Sequence, residues 1–128
     1  MTVWKRNQKF GKNERLHSKK LIAQLFKEGK SFFKYPFKIV YLETGHADTA
    51  PVTVLISVSR KKFKRAVDRN RVKRLIREAY RKNKYILYES EKLNFQKSLL
   101  IGLIYTGKTI MSYNEIEKKI ILILRHLK

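Results

Sequence analysis

Apolar positions divide this chain into segments of different period. Leu21, Ile22, Leu25 and Phe26 recur at helical spacing after the polar, basic residues 1–17. Ser18 stands where an N-cap belongs, and Gly29 where such a helix stops. From Phe32 to Leu42 the period becomes two. Phe33, Tyr35, Phe37, Ile39 and Tyr41 fall on one face, and Phe32, Lys34, Pro36, Lys38, Val40 and Leu42 on the other. The spacing predicts one strand, with Pro36 at an edge or before pairing begins. Glu43 to Ala50, with Gly45 and Asp48, reads as a loop. Pro51 to Ser59 reads as a second strand carrying Val52, Val54, Ile56 and Val58 on one side. Tyr85 to Gln96 is a mixed linker. Ser98 to Tyr105 is apolar on both faces and therefore predicts a central strand.

The C-terminal segment predicts a helix. Ser112 and Glu115 have capping-box spacing, Met111 and Ile116 staple spacing, and Ile116, Ile120, Ile123, Leu124 and Leu127 form the apolar stripe. The order is helix, strand, strand with room for a third, helix, strand, helix. It implies an α/β (α+β) two-layer sandwich in one domain, residues 1–128, with residues 1–17 as a basic arm.

Charge adds a partner to this picture. Thirty-one Lys and Arg face ten acids, a formal net charge of +21 over 128 residues. Self-repulsion on that scale destabilises a small compact fold, so a polyanion is the economical partner. No apolar run approaches a membrane span, and no segment outside the expected core pairs a broad apolar face with a basic one, which disfavours a membrane partner. The N-terminus lacks the apolar stretch of a secretory signal, and there is no Cys, so the expectation is a soluble cytoplasmic protein without disulfides.

The cations concentrate between Arg60 and Lys84, where thirteen Lys or Arg accompany two acids. Val72, Leu75, Ile76, Ala79 and Tyr80 make one helical face there. At 100° per residue Asn70, Arg74, Arg77 and Arg81 point away from it, and Arg69, Lys73 and Arg71 flank it. Asp68 is placed to cap this helix. A solvated face would intersperse acids one turn from the cations, but only Glu78 is available. Stacked Arg69, Lys73, Arg77 and Arg81 make sense with phosphates between them, since guanidinium forks suit phosphate oxygens.

The run Ala66-Val67-Asp68-Arg69-Asn70-Arg71-Val72-Lys73-Arg74-Leu75-Ile76-Arg77-Glu78-Ala79-Tyr80-Arg81, behind Ile56-Ser57-Val58-Ser59-Arg60-Lys61, closely resembles the signature of the bacterial ribonuclease P protein. Arg15-Leu16, Phe26 and Gly29 match that family's N-terminal pattern more loosely. The resemblance implies the small partner of a catalytic RNA that removes the 5′ leader of precursor tRNA by Mg²⁺-dependent hydrolysis. It also implies a left-handed crossover between parallel strands, a signature helix on the catalytic RNA, and a cleft between the first helix and the sheet for single-stranded leader. Carried over, the RNA-binding residues are Arg60, Lys61, Lys62, Arg69, Asn70, Arg71, Lys73, Arg74, Arg77 and Arg81. Phe26, Tyr35, Phe37 and Tyr41 are expected in the leader cleft, because bases stack on aromatic faces. Phe33 and Ile39 on the same strand face are read for the cleft as well, with a place in the core as the alternative for both. Ile22 stands where the family often carries Phe.

The chain's own acids and its three histidines form no ligand motif, so no catalytic residue is expected in it, and the Mg²⁺ is assigned to the RNA subunit. The expected partners are the catalytic RNA and the precursor tRNA leader, with no membrane and no DNA. A basic structural RNA-binding protein of ribosomal type explains the charge but not the signature. A helix-turn-helix DNA binder would need a second short helix where a strand precedes Arg60-Lys61-Lys62. A protein-only nuclease would need the missing carboxylate cluster.

Overall fold

The computed structural model describes residues 10–11, 14–44, 51–88 and 98–128. Its elements are α1 (Lys19–Glu28), β1 (Lys30–Lys34), β2 (Phe37–Thr44), β3 (Val52–Val58), α2 (Ala66–Asn83), the short α3 (Tyr85–Tyr88), β4 (Ser98–Tyr105) and α4 (Tyr113–Leu127). The four strands form one mixed sheet in the order β1-β2-β4-β3. The pairs β1–β2 and β2–β4 are antiparallel, and β3–β4 is parallel. The doubly apolar β4 is central, as its sequence requires.

Two of the three predicted N-caps form. Ser18 Oγ accepts the Leu21 N–H at 3.3 Å, and Ser112 Oγ accepts that of Glu115 at 3.3 Å. Gly29 ends α1 in extended backbone, not with a positive φ. Its missing Cβ matters instead, because an added one would collide with the Leu25 carbonyl oxygen and lie 2.8 Å from Val40 Cγ1. The helix can therefore turn down directly into β1.

The expected single strand Phe32–Leu42 is instead the hairpin β1–β2, turning at Tyr35–Pro36. The Pro36 carbonyl accepts both the backbone N–H and the hydroxyl of Thr106, at 2.7 and 2.8 Å, which fixes the turn against the end of β4. The expected capping by Asp68 is also corrected. α2 starts three residues earlier, Arg65 is its N-cap without a side-chain cap, and Asp68 lies in the first turn, 3.9 Å from Arg65 Nε.

The sheet carries helices on both faces, one layer more than expected. Phe37, Ile39, Val52, Val54, Ile101, Leu103 and Tyr105 face α2 and α4, whose Val72, Ile76, Ala79, Tyr80, Ile116, Ile120, Ile123 and Leu124 complete the main core. On the other face Val40 and Leu100 pack with Leu16 and with Leu25 of α1. Leu25 Cδ2 would stand 3.4 Å from a Cβ at position 102, so Gly102 sets how close α1 sits. The expected basic arm is partly structural. Leu16 is buried, its N–H donates to the Val54 carbonyl at 2.9 Å, and Arg15 bridges Val54 in parallel at the free edge of β3. Gly45 and Asp48 of the expected loop lie outside the described residues, as does most of the linker after α3. No helix among the described residues is long and apolar enough to cross a membrane.

Candidate nucleic-acid interface

α2 is held by one face. Val72, Ile76, Ala79 and Tyr80 have no exposed surface, and Asn83 is buried beside them. Asn83 Nδ2 donates to the Ala79 carbonyl at 2.8 Å and to Glu117 of α4 at 3.1 Å; Glu117 also accepts the Tyr113 hydroxyl at 2.9 Å. This leaves Asn70, Arg71 and Arg74 exposed, and Lys73 and Arg77 partly exposed. Among the described residues, none of Arg71, Lys73, Arg74 and Arg77 has a carboxylate partner.

Two cations of the motif are engaged within the fold. Arg69 Nη1 donates to the carbonyls of Phe63 and Lys64, at 2.8 and 2.9 Å, and so ties the β3–α2 turn to the helix it precedes. Arg81 donates to both oxygens of Glu78, at 2.6 and 3.0 Å. That bond holds the Glu78 carboxyl below its ordinary pKa and raises the Arg81 guanidinium above its own. Arg60, Lys61 and Lys62 are exposed on the turn after β3, and Lys62 Nζ donates to the Thr106 carbonyl.

One cation that helical geometry could not supply joins the face. Arg15 lies at the β3 edge on the α2 side, with its guanidinium 5.2 Å over the Phe10 ring, which meets Tyr80 of α2 edge-on at 5.2 Å. Burial, then the like charges of Arg15 and Arg74, lower the pKa of Arg77. Arg77 thus feels the like charges of two other guanidinium groups, and among the described residues it has no acid partner, a situation that an anion relieves. The segment carrying Arg15 is fastened by Glu14, which accepts from Lys84 Nζ at 2.9 and 3.1 Å and from the Tyr88 hydroxyl at 3.4 Å.

The aromatic expectations divide. Phe26 is 49% exposed on α1, over the sheet face that holds Val40 and Leu100. Phe37, expected in the leader cleft, is 0% exposed, points into the α2–α4 core and meets Tyr105 edge-on at 5.5 Å. Tyr41 shares that inner face, half-buried against Phe32 at 5.9 Å. Both therefore lie on the side of the sheet away from α1. Tyr35 is 57% exposed, but at the hairpin tip. Phe33, read for the cleft with core as its alternative, is 58% exposed on the α1 side, whereas Ile39, read the same way, is buried. The strip beside α1 is floored by a register row across the sheet, Ser57–Ile104–Lys38–Phe33, of which only Phe33 is among the residues read for the cleft from the sequence. Among the described residues no three His, Asp or Glu side chains are grouped to hold a metal ion.

A family model described as "Ribonuclease P" matches residues 10–128. Ribonuclease P protein components of two Porphyromonas gingivalis strains are each 50% identical over 76 residues, 59% of this chain and 56% of the relative. That of Chlorobium phaeobacteroides is 44% identical over 80 residues, 60% of this chain and 55% of the relative. The matched stretch spans about half the length of these curated relatives. The ribonuclease P protein of Thermotoga maritima superposes with a TM-score of 0.70 at 26% identity, covering 90% of this chain and 98% of that one. A Staphylococcus aureus ribonuclease P protein shares the fold, with a TM-score of 0.64 at 23% identity. Since the family match takes in the Arg15 edge, the sheet and the basic helix together, the chain belongs to the ribonuclease P protein family.

Proposed function

We propose that this chain is the protein subunit of ribonuclease P, a binder of the catalytic RNA and of the precursor tRNA leader. The observation that carries the reading is the outer face of α2: Asn70, Arg71, Lys73, Arg74 and Arg77, joined by Arg15, with no acid among the described residues to neutralise its guanidinium groups. Arg60, Lys61 and Lys62 extend that face at the helix N-terminus, and Arg69 and Arg81 support it through Phe63, Lys64 and Glu78. Planar guanidinium forks bind phosphate oxygens in pairs, so this face suits a folded RNA backbone. The strip between α1 and the row Ser57–Ile104–Lys38 suits unpaired leader, with Phe26 and Ile22 as apolar wall and Lys38 for phosphates.

The protein's share of the reaction is positioning. Holding leader and catalytic RNA on one rigid body aligns the scissile bond and offsets repulsion between the two RNAs. The grouped carboxylates that a protein Mg²⁺ site needs do not occur among the described residues, and the Mg²⁺ chemistry is assigned to the RNA. Reconstitution tests this. The chain with catalytic RNA and precursor tRNA should lower the Mg²⁺ needed for leader cleavage, and the chain stripped of RNA should cleave nothing. Cleavage by the stripped chain, or an unchanged Mg²⁺ requirement, contradicts the proposal.

A further inference from the structure

The most exposed aromatic pair among the described residues stands at the β1 end of the strip beside α1. Phe33 and Tyr35 are 58% and 57% exposed, with ring centroids 6.4 Å apart and planes inclined at 51°. Burying neither ring in the core forgoes a large apolar contribution. The tip that carries them is nevertheless pinned by Thr106 on Pro36, so the pair is presented on a fixed support. Lys30, Lys34 and Lys38 stand on the same hairpin, and residues 30–38 contain no acid.

Position in the sheet identifies what reaches this pair. Phe33 is the last residue of the row Ser57–Ile104–Lys38–Phe33, on edge strand β1. The opposite end of the row, on β3, leads through Ser59 into the basic turn and α2. A strand of RNA lying along the row with one end at α2 has one way out, over β1, and there it meets Phe33 and Tyr35.

We infer that Phe33 and Tyr35 form a second stacking platform for single-stranded RNA, taken up by the leader nucleotides farthest from the cleavage site. This rests on the proposed function, which puts the catalytic RNA, and so the scissile bond, at the α2 end. Tilted, accessible rings among lysines suit bases of any sequence, as sequence-tolerant strand binding requires. A second copy of this chain is the less favoured occupant, because a net charge of +21 on each copy opposes contact through a lysine-rich hairpin.

The test uses reconstituted holoenzyme and precursor tRNAs whose leaders are graded in length. Phe33→Ala/Tyr35→Ala should bind long-leader precursors about tenfold more weakly relative to short-leader ones, ~1.4 kcal/mol. Phe33→Tyr/Tyr35→Phe, which keeps both rings, should restore wild-type affinity. Melting should be unchanged, since neither ring is buried. If wild type gains affinity with leader length and the double alanine variant gains it equally, this inference is overturned while the proposed function stands. If wild type itself shows no leader dependence, the leader-binding part of the function fails first. A variant whose change is confined to self-association in sedimentation would assign the pair to a second copy and overturn the inference.

Discussion

Arg69 and Arg74 stand five residues apart on one helix, yet their guanidinium groups have different surroundings. Arg69 is spent on the carbonyls of Phe63 and Lys64, whereas Arg74 is exposed and, among the described residues, has no acid partner. Arg69→Ala should therefore cost stability, about 1.5 kcal/mol for two charge-assisted bonds on a partly exposed group. Arg74→Ala should leave melting within about 0.5 kcal/mol of wild type. It should lower the slope of RNA affinity against salt by about one phosphate contact. Thermal melts and affinities across a salt series separate the two. Equal melts would deny Arg69 its structural role, and an unchanged slope for Arg74→Ala would make it an ordinary solvated side chain. The same distinction disposes of Phe37: a ring with no exposed surface, truncated to Ala, should cost about 3–5 kcal/mol and impair every ligand through unfolding.

Elements show where sequence periodicity is informative and where it misleads. α1, α4 and β4 follow their patterns closely, because each sits on the core by one stripe or by two full faces. The hairpin does not, for a geometric reason. Pairing across a two-residue turn matches Phe33 with Lys38 and Lys34 with Phe37, so the parity of the inward face switches at Tyr35–Pro36. Odd-numbered Phe33 thus faces α1, while odd-numbered Phe37 and Ile39 face α2 and α4. An unbroken alternation cannot reveal that switch, which carries Phe37, Ile39 and Tyr41 to the face away from α1 and leaves Phe33 beside it. The N-terminal strap was hidden for another reason, since Glu14 and Lys84 are 70 residues apart. It yields a test with an unusual sign. Glu14→Ala raises the net charge, so bulk electrostatics alone would tighten RNA binding. If the strap positions Arg15 beside Arg74 and Arg77, affinity for the catalytic RNA should fall instead, alongside a stability loss of roughly 3 kcal/mol. Tighter binding by a folded Glu14→Ala chain would show that Arg15 needs no such support.

On the scale of the whole molecule two alkaline trends oppose one another. Deprotonating lysines relieves the self-repulsion of a chain at +21 and favours the fold. Buried tyrosines act the other way. Burial, with Glu14 adjacent, pushes the pKa of Tyr88 well above its ordinary value of 10.0, and burial does the same to Tyr80. In the unfolded chain these phenols ionise near pH 10. In the fold they keep their protons, so above that pH the folded state binds more protons and stability falls as pH rises. Below it both states are protonated and the contribution is complete. Tyr88→Phe isolates the tyrosine part, since the lysines are common to both chains. Near neutrality the variant should lie within about 1–2 kcal/mol of wild type, having lost the hydroxyl's long hydrogen bond to Glu14 and its bond with the Val52 backbone. Above pH 10 its stability should improve relative to wild type by up to about 1.4 kcal/mol per pH unit, reduced by the solvent that reaches the Tyr88 edge. Denaturant midpoints for both chains, measured from neutrality to beyond the tyrosine range, give the difference directly. Parallel curves would mean that Tyr88 ionises as readily in the fold as in the open chain, and that the packing of Glu14 and Tyr88 at the end of α2 is looser than its geometry requires.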